Sequence, residues 1–455
     1  MISPSPRRRS LFFLAGGVSR QAAMWVQAYT VAQVGISFLE TDPAEIDRLE
    51  AAAALLPVLL VVPLGVLADR VRRGSALAVL GLLNAGVLAS LSAAVWFQVL
   101  TLPHLAVAAA VLGLTWLAGD LTQEAYLPAA VGRDRLILVN AALLCTATLI
   151  SFTEPLAEGR SGLVALGDPR SMATAVLAVM AVASAASAPL FRGVGVAEEP
   201  PRPWTGWRRE TAEGVRFTLT HPVLRAITVC LTVPVLLEAV VDEAARLPRD
   251  RRDDEGVLID LLSVLDDGAP LIGAVAAALL YRRVGALRLA WLAVLTTQPF
   301  MLLYALTGLE GGRIWYLLGG AVPWAGWTVV TLVLLSHRQA ITPARLLGRT
   351  GVTLLVFGIL AEVAGALLEV LVRPLLPAVF FGQVLEPPIE IGGLAPPEFL
   401  VRAVLLALCT AGTVAAALPL RKALRPAGSV SPEDPPAPPE DSAPPAAAPA
   451  APPGA

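Results

Sequence analysis

Apolar stretches of eighteen or more residues recur from Leu11 to Leu420, and no other feature constrains the fold as strongly. At 1.5 Å rise per residue, such a stretch matches the ~30 Å hydrocarbon core of a bilayer. A β-barrel would show alternation over about ten residues instead. A soluble multi-domain protein would need far more charge to cover its surface, yet this chain is 56% hydrophobic and 15% charged. The expectation is an all-α membrane protein whose solvent is the lipid bilayer.

About twelve spans are expected, near 11–39, 52–68, 76–98, 104–130, 136–157 and 171–191, then 223–243, 257–281, 286–307, 313–335, 350–378 and 399–420. This divides the chain into an N-terminal six-helix bundle (1–192), a polar cytoplasmic linker (193–222), a C-terminal six-helix bundle (223–423) and a tail (424–455). The tail is made of Pro, Ala, Ser and acidic residues. It cannot bury enough apolar surface to offset ordering entropy, so disorder is expected there.

Loop arginines set the orientation. Arg7, Arg8, Arg9, Arg70, Arg72, Arg73, Arg133, Arg135, Arg282, Arg283, Arg345 and Arg349 fall on one side. The opposite loops are acidic or proline-rich, as in Glu40-Thr41-Asp42-Pro43 and Leu385-Glu386-Pro387-Pro388; the 246–252 loop is the exception. An even span count then puts both termini in the cytoplasm of a bacterial inner (plasma) membrane. The single lysine, Lys422, and the wealth of Arg, Ala and Pro suggest a GC-rich bacterial genome. Arg7-Arg8-Arg9 reads as a cytoplasmic anchor, because the following apolar stretch is too long for a signal peptide and has no clear cleavage site.

Several function classes are disfavoured. Cys145, Cys230 and Cys409 lie in apolar spans, which suits packing. His104, His221 and His337 form no i,i+4 ligand pair, so no metal site is expected. The chain shows no phosphate loop and no nucleophile elbow. Neither an enzyme nor a cofactor is expected, no nucleic acid partner is expected, and an ion gradient replaces ATP as the energy source.

Intramembrane charges cost roughly 2.5–3.5 kcal/mol each at a helix centre, so they point to function. Arg20 on span one and Asp120 on span four lie at similar depth and are expected to pair, with Glu124 one turn below Asp120. The pair reads either as a proton- or substrate-responsive device or as a static bridge. Asp266 and Asp267, adjacent on span eight, suit a proton carrier unless they face outside water. Glu154 and Glu158 on span five, and Glu238, Asp242 and Glu243 on span seven, sit toward the outer side. Glu362 in span eleven is deeper and needs a partner.

A repeat is visible as well. Ala125-Tyr126-Leu127-Pro128 leads through Gly132-Arg133-Asp134-Arg135-Leu136, and Ala340-Ile341-Thr342-Pro343 leads through Ala344-Arg345-Leu346. Both run from a proline to an Arg-Leu pair that opens the next helix, as duplication of a six-helix unit would give.

Four segments carry a resemblance. Gly65 to Gly74 reads G-V-L-A-D-R-V-R-R-G between spans two and three, with Gly65 permitting close helix approach and Asp69 placed to accept charge-assisted bonds at a helix terminus. The others are Ala125 to Leu144, Arg208 to Arg225 and Arg338 to Arg349. Together they resemble the major facilitator superfamily, in particular its enterobactin-exporter-like, drug-efflux branch. The resemblance implies two six-helix bundles, alternating access, a monomer, and a central cavity for a small-molecule substrate lined by spans one, four, seven and ten. On those spans lie Trp25, Tyr29, Trp116, Tyr126, Trp324 and Trp327, suited to stacking on an amphipathic substrate or to plain packing. It also implies a gating loop of Gly65, Asp69, Arg70, Arg72 and Arg73; protons as coupling ion are expected from the buried carboxylates. Two departures stand out. Span five carries Glu154-Pro155-Leu156-Ala157-Glu158-Gly159 where relatives have Gly-Pro-x-x-Gly-Gly, and Arg282-Arg283-Val284-Gly285 lacks the aspartate of a second gating loop.

The leading expectation is therefore proton-coupled efflux of a small amphipathic molecule. A diverged, non-transporting membrane scaffold is the alternative, and a lipid flippase is the third.

Overall fold

The computed structural model describes residues 5–39, 41–151, 168–196, 206–245, 256–308, 312–372 and 396–423. Every regular element among them is helical. In lipid this is forced, because an isolated strand would leave backbone N–H and C=O groups with no water to satisfy them.

The N-terminal half holds α1 (Pro6–Leu39), α2 (Pro43–Ala68), α3 (Arg73–Trp96), α4 (Leu102–Val131), α5 (Leu136–Ser151) and α6 (Pro169–Gly193). A short helix, α7 (Trp207–Thr220), occupies the linker. The C-terminal half holds α8 (Pro222–Ala245), α9 (Gly256–Val284), α10 (Ala286–Thr297), which continues as a 3-10 segment (Gln298–Gly308), α11 (Gly312–Ile341), α12 (Leu347–Val372) and α13 (Pro396–Ala423). Ten of these membrane-length elements are long and apolar enough to cross a bilayer. The remaining two, α1 and α9, have 34 and 29 residues and carry the charges already noted.

The boundaries follow local chemistry. On the arginine-poor side, Asp42 Oδ1 accepts from the Ala44 N–H at 2.9 Å and Asp168 Oδ2 from the Ser171 N–H at 3.2 Å. Proline follows each cap at the first helical turn, where no N–H is needed. The Asp42 cap starts α2 at Pro43, well before the start near 52 that hydropathy alone suggests; its first turns carry Glu45, Asp47, Arg48 and Glu50, which mask the helix in an apolar count. The linker likewise contains α7, whose charged face hid it from a hydropathy reading.

The halves repeat one packing plan. In the first, α1 packs on α6 and α5, α2 on α4, and α3 on α4 and α6. In the second, α8 packs on α13 and α12, α9 on α11, and α10 on α11 and α13. A 3-10 turn sits at each matching connection, Arg133–Arg135 and Ala344–Leu346. Leu59, Val182, Ile272 and Leu371 are exposed, as lipid contact demands and water would not allow in such number.

The halves meet through α2, α4 and α5 against α9, α11 and α12. At the arginine-rich end α2 packs tightly on α12. A Cβ at Gly348 would lie 2.6 Å from the Gly65 carbonyl oxygen and 2.9 Å from Asp69 Oδ1, and a Cβ at Gly65 would overlap Val352. Only glycine at both positions lets the backbones come this near.

Gly348→Val is expected to cost about 1–3 kcal/mol by overpacking and to lower the thermal midpoint of the protein in detergent. Gly86→Ala, whose Cβ would meet nothing within 4 Å, should leave the midpoint unchanged or slightly raised.

Candidate functional site

Two polar constellations tie the molecule together at different depths, and a cavity lies within the second half.

The first is at the arginine-rich end. Asp69 follows the last turn of α2, and its carboxylate reaches across to the start of α12. Oδ1 accepts from the Gly348 N–H at 2.7 Å and Oδ2 from the Arg349 N–H at 3.0 Å. These are second and third residues of α12, so Asp69 caps a helix in the opposite half and sits in its favourable dipole field. Arg73 donates to Asp69 Oδ1 at 3.4 Å and to the Ala344 carbonyl at 2.7 Å. The linker helix adds a clasp. Glu210 accepts from Arg70 of the first half and, at 2.7 Å, from Arg349 of the second. Glu213 accepts from Arg345 at 2.6 Å and from Arg349 at 2.7 Å. Burial dominates the electrostatics of Asp69 and pushes its carboxyl up to about 6, against the opposing pull of the two backbone N–H groups and of Arg73 and Arg349. Arg72, by contrast, is exposed.

Further contacts cross the halves slightly deeper. Glu124 on α4 pairs with Arg338 on α11. Asn140 Nδ2 donates to Ser336 Oγ at 2.9 Å and to Gln339 Oε1 at 3.0 Å. Arg338 is buried, and its Nε and Nη1 have no partner among the described residues. All these bridges lie within about two turns of the arginine-rich helix ends.

The second constellation is at mid-depth in the first half. Arg20 on α1 donates from Nη2 to Asp120 Oδ1, from Nε to Gln123 Oε1 at 2.9 Å and from Nη1 to Met24 Sδ at 2.9 Å. Gly119 makes room for the guanidinium, since a Cβ there would sit 3.0 Å from Nη1. The pair is asymmetric: the Arg20 side chain is 3% exposed and that of Asp120 is 46% exposed. The cation is locked into the bundle while the carboxylate remains accessible. Asp120 lies roughly 16 Å along α4 from its arginine-rich end at helical rise.

The cavity, of about 310 Å³, lies inside the second half, with walls from α8, the 3-10 segment, α11 and α13. Trp324 and Trp327 form one side, Tyr304 another, and Glu238 and Asp242 a third.

No protein-family model matches the sequence, and no curated protein matches it. Solved structures do match. A bacterial homologue of the iron transporter ferroportin, in an outward-facing state, is similar with a TM-score of 0.63 at 16% identity, over 92% of this chain and 98% of that one. FucP, a major facilitator superfamily transporter in its outward conformation, is similar with a TM-score of 0.59 at 12% identity, over 90% and 97%. The nucleoside transporter NupG is similar with a TM-score of 0.51 at 11% identity, over 92% and 100%. The chain has the major facilitator fold.

Within that fold the residues singled out in the sequence separate into groups. Arg20 and Asp120 are brought together, whereas Glu124, one turn away from Asp120, turns to Arg338 in the other half. Gly65, Asp69, Arg70 and Arg73 cluster at the α2–α12 contact. Trp324 and Trp327 line the cavity, Trp116 is exposed on α4, and Tyr126 is buried against Phe13. Glu362 is exposed on α12 and is a charged neighbour of Glu238. Trp25, Tyr29, Asp266 and Asp267 lie on helical backbone, with side chains outside the described residues. Glu154 and Glu158, and with them the altered span-five motif, fall in 152–167, outside the described residues, as does the 424–455 tail.

Sequence reasoning missed the partners. Glu210 and Glu213 fall in the polar linker, Arg338 opens one of the segments that carry the resemblance, and Gln298 shows no local signal in the sequence. Hints existed: glutamates three residues apart on a short amphipathic helix, and a carboxylate pair at i,i+4 in Glu238 and Asp242.

Asp69 predicts a pH dependence with a defined sign. Buried in the closed end, its carboxyl ionises near 6; hydrated in an opened end, it would return toward 3.8. The closed form therefore binds the proton more tightly, so closure gains as pH falls through 6 toward 4 and is insensitive to pH above that window. Spin labels at the arginine-rich ends of α2 and α12 should report a closed population favoured on the order of tenfold or more at pH 4.5 over pH 7.5. Asp69→Asn should flatten the profile.

Proposed function

We propose that the chain is a secondary active transporter that exports a small amphipathic molecule by alternating access, driven by protons. The observation that carries this reading is the placement of polar contacts. The two halves are bridged by hydrogen bonds and ion pairs at the arginine-rich ends of the helices, while an ion pair with an accessible carboxylate sits at mid-depth.

Such a layout suits rocking of two rigid bundles. Each bundle has its own apolar core, one built around Leu88, Leu105 and Leu177 and the other around Ile227, Val330 and Leu420. The contacts between them combine polar bridges with apolar packing, in which Ile137 and Ala141 of α5 join the second half's core and Val352 of α12 packs against Val61, Leu117 and Leu121. Arg338 is only partly satisfied, so rocking exchanges this limited set of contacts while the rest of each bundle's core is kept. We read the arginine-rich end as the cytoplasmic one, because loop arginines favour that side, with both termini in the cytoplasm of a bacterial inner membrane. The protein works as a monomer, since Arg20, Asp120 and the bridges between the halves are all supplied by one chain.

Proton coupling is assigned to Asp120. Protonation removes the charge that Arg20 is held against, and Gln123 and Met24 remain to keep the guanidinium in place. Neutralising the accessible Asp120 carboxylate leaves the buried Arg20 guanidinium without its counter-charge, which biases a bistable transporter from one state toward the other. A proton symporter for fucose shares the fold, as do an iron transporter homologue and a nucleoside transporter. Cargoes so different show that the fold does not choose the substrate, so the export of an amphipathic molecule rests on the aromatic side chains on α4 and α11.

Proteoliposomes loaded with siderophores, antibiotics or lysolipids, under an imposed pH gradient, test this directly. Flux of at least one class is expected in wild type, with loss of at least tenfold in Asp120→Asn. Flux that persists in the mutant removes Asp120 from the mechanism. Absence of flux for every class favours the scaffold reading.

A further inference from the structure

The cavity in the second half has features that the Arg20–Asp120 pair does not explain. Its walls are irregular at membrane depth. Pro234 interrupts the hydrogen-bond ladder of α8, Pro323 does the same on α11, and between them runs an eleven-residue 3-10 segment, Gln298–Gly308. Runs of 3-10 helix this long are uncommon. Irregular backbone in the bilayer core persists where it is packed in protein or lines a cavity, and here these segments are the walls.

The lining chemistry is specific. Trp324 and Trp327 lie three residues apart and share a face of α11. Tyr304 is fixed edge-on to Tyr316 at 5.4 Å between ring centroids and is backed by Gly319. Glu238 is exposed toward this space and has no hydrogen bond or ion pair among the described residues; its charged neighbours there are two further acids, Asp242 and Glu362. Gln298 is almost fully buried. It donates through Nε2 to the Pro323 carbonyl at 3.1 Å, and its Oε1 accepts no hydrogen bond among the described residues.

An acid whose charged neighbours among the described residues are acids, beside π faces and an amide oxygen that accepts no hydrogen bond among them, is complementary to a positive charge on an apolar body. A divalent metal fits less well, since no group of three or more metal-ligating side chains forms among the described residues. We propose that this cavity binds an organic monocation carrying an aromatic or other flat apolar group. Glu238 supplies the counter-charge, Trp324 and Trp327 the stacking faces, and Gln298 Oε1 a hydrogen-bond acceptor for a cationic N–H where the ligand has one. That this cation is the exported molecule rests on the transport reading above; the binding itself does not.

The volume suits a ligand at the small end of the drug-sized range. 1-Methyl-4-phenylpyridinium is a fitting probe, and 4-phenylpyridine, neutral at pH 8, has almost the same shape without the charge. Isothermal titration of the full chain in detergent at pH 8 should show saturable binding of the cation, at least tenfold weaker binding of the neutral compound, and at least tenfold weaker cation binding for Glu238→Gln and for Trp324→Ala. Glu238→Asp, which keeps the charge, should recover most of the affinity, separating loss of counter-charge from loss of fold. Equal affinity for the two compounds, wild-type affinity in both weakened variants, no saturable binding, or displacement of the probe by stoichiometric Co²⁺ would each overturn the assignment. The measurement needs no gradient, so failed binding with intact Asp120-dependent flux sinks this site alone, and intact binding without flux sinks the transport reading alone.

Discussion

In a hydrocarbon core every backbone N–H and C=O must find its partner inside the protein. The rest of this architecture depends on that constraint. It makes each membrane segment a helix, and on the arginine-poor side α2 and α6 start on Asp caps followed by proline while α4 starts on a Thr101 cap. It also gives meaning to the exceptions. The prolines at 234 and 323 and the 3-10 run from Gln298 all border one cavity, so the second half concentrates its irregular backbone where polar groups have somewhere to point.

Charge is placed under the same penalty. At mid-depth in the first half, Arg20 has each of its three nitrogens occupied, by Asp120, Gln123 and Met24. At the arginine-rich end the charges are more numerous and shared: Arg349 is contacted by Glu210 and Glu213 while its backbone N–H serves Asp69. The linker helix thereby joins the two halves as a clasp as well as a tether. In the cavity of the second half, Glu238 breaks the pattern, an acid without a cation among the described residues. The first two arrangements pair their carboxylates with arginines; the third leaves its carboxylate beside a cavity.

The two halves follow one plan with different chemistry. Equivalent helix pairs pack in each, yet the first half carries a buried arginine with its carboxylate and the second carries carboxylates with aromatic rings. One packing plan thus carries a candidate proton site in the first half and a candidate ligand site in the second.

The sequence by itself determined the number and approximate position of the helices, because apolar length is a direct readout of bilayer thickness. It determined their orientation preference, because arginines are costly to move across lipid. It marked Gly65, Asp69, Arg20 and Asp120 as unusual, because each breaks a rule for its surroundings. What it left open were partners. Nothing local in Glu124 says that it meets Arg338 rather than Arg20, and nothing in Glu210 says that it holds Arg70 and Arg349 at once. A charge in a helix reports its own cost, while its partner lies a hundred or more residues away and is selected by how the helices cross. The start of α2 and the existence of α7 escaped for a related reason, since both are polar turns stabilised by caps and by neighbours rather than by apolar content. Only the tertiary structure, by bringing α2 against α12 and α8 against the 3-10 segment, α11 and α13, decided which of these residues form a latch and which surround a cavity.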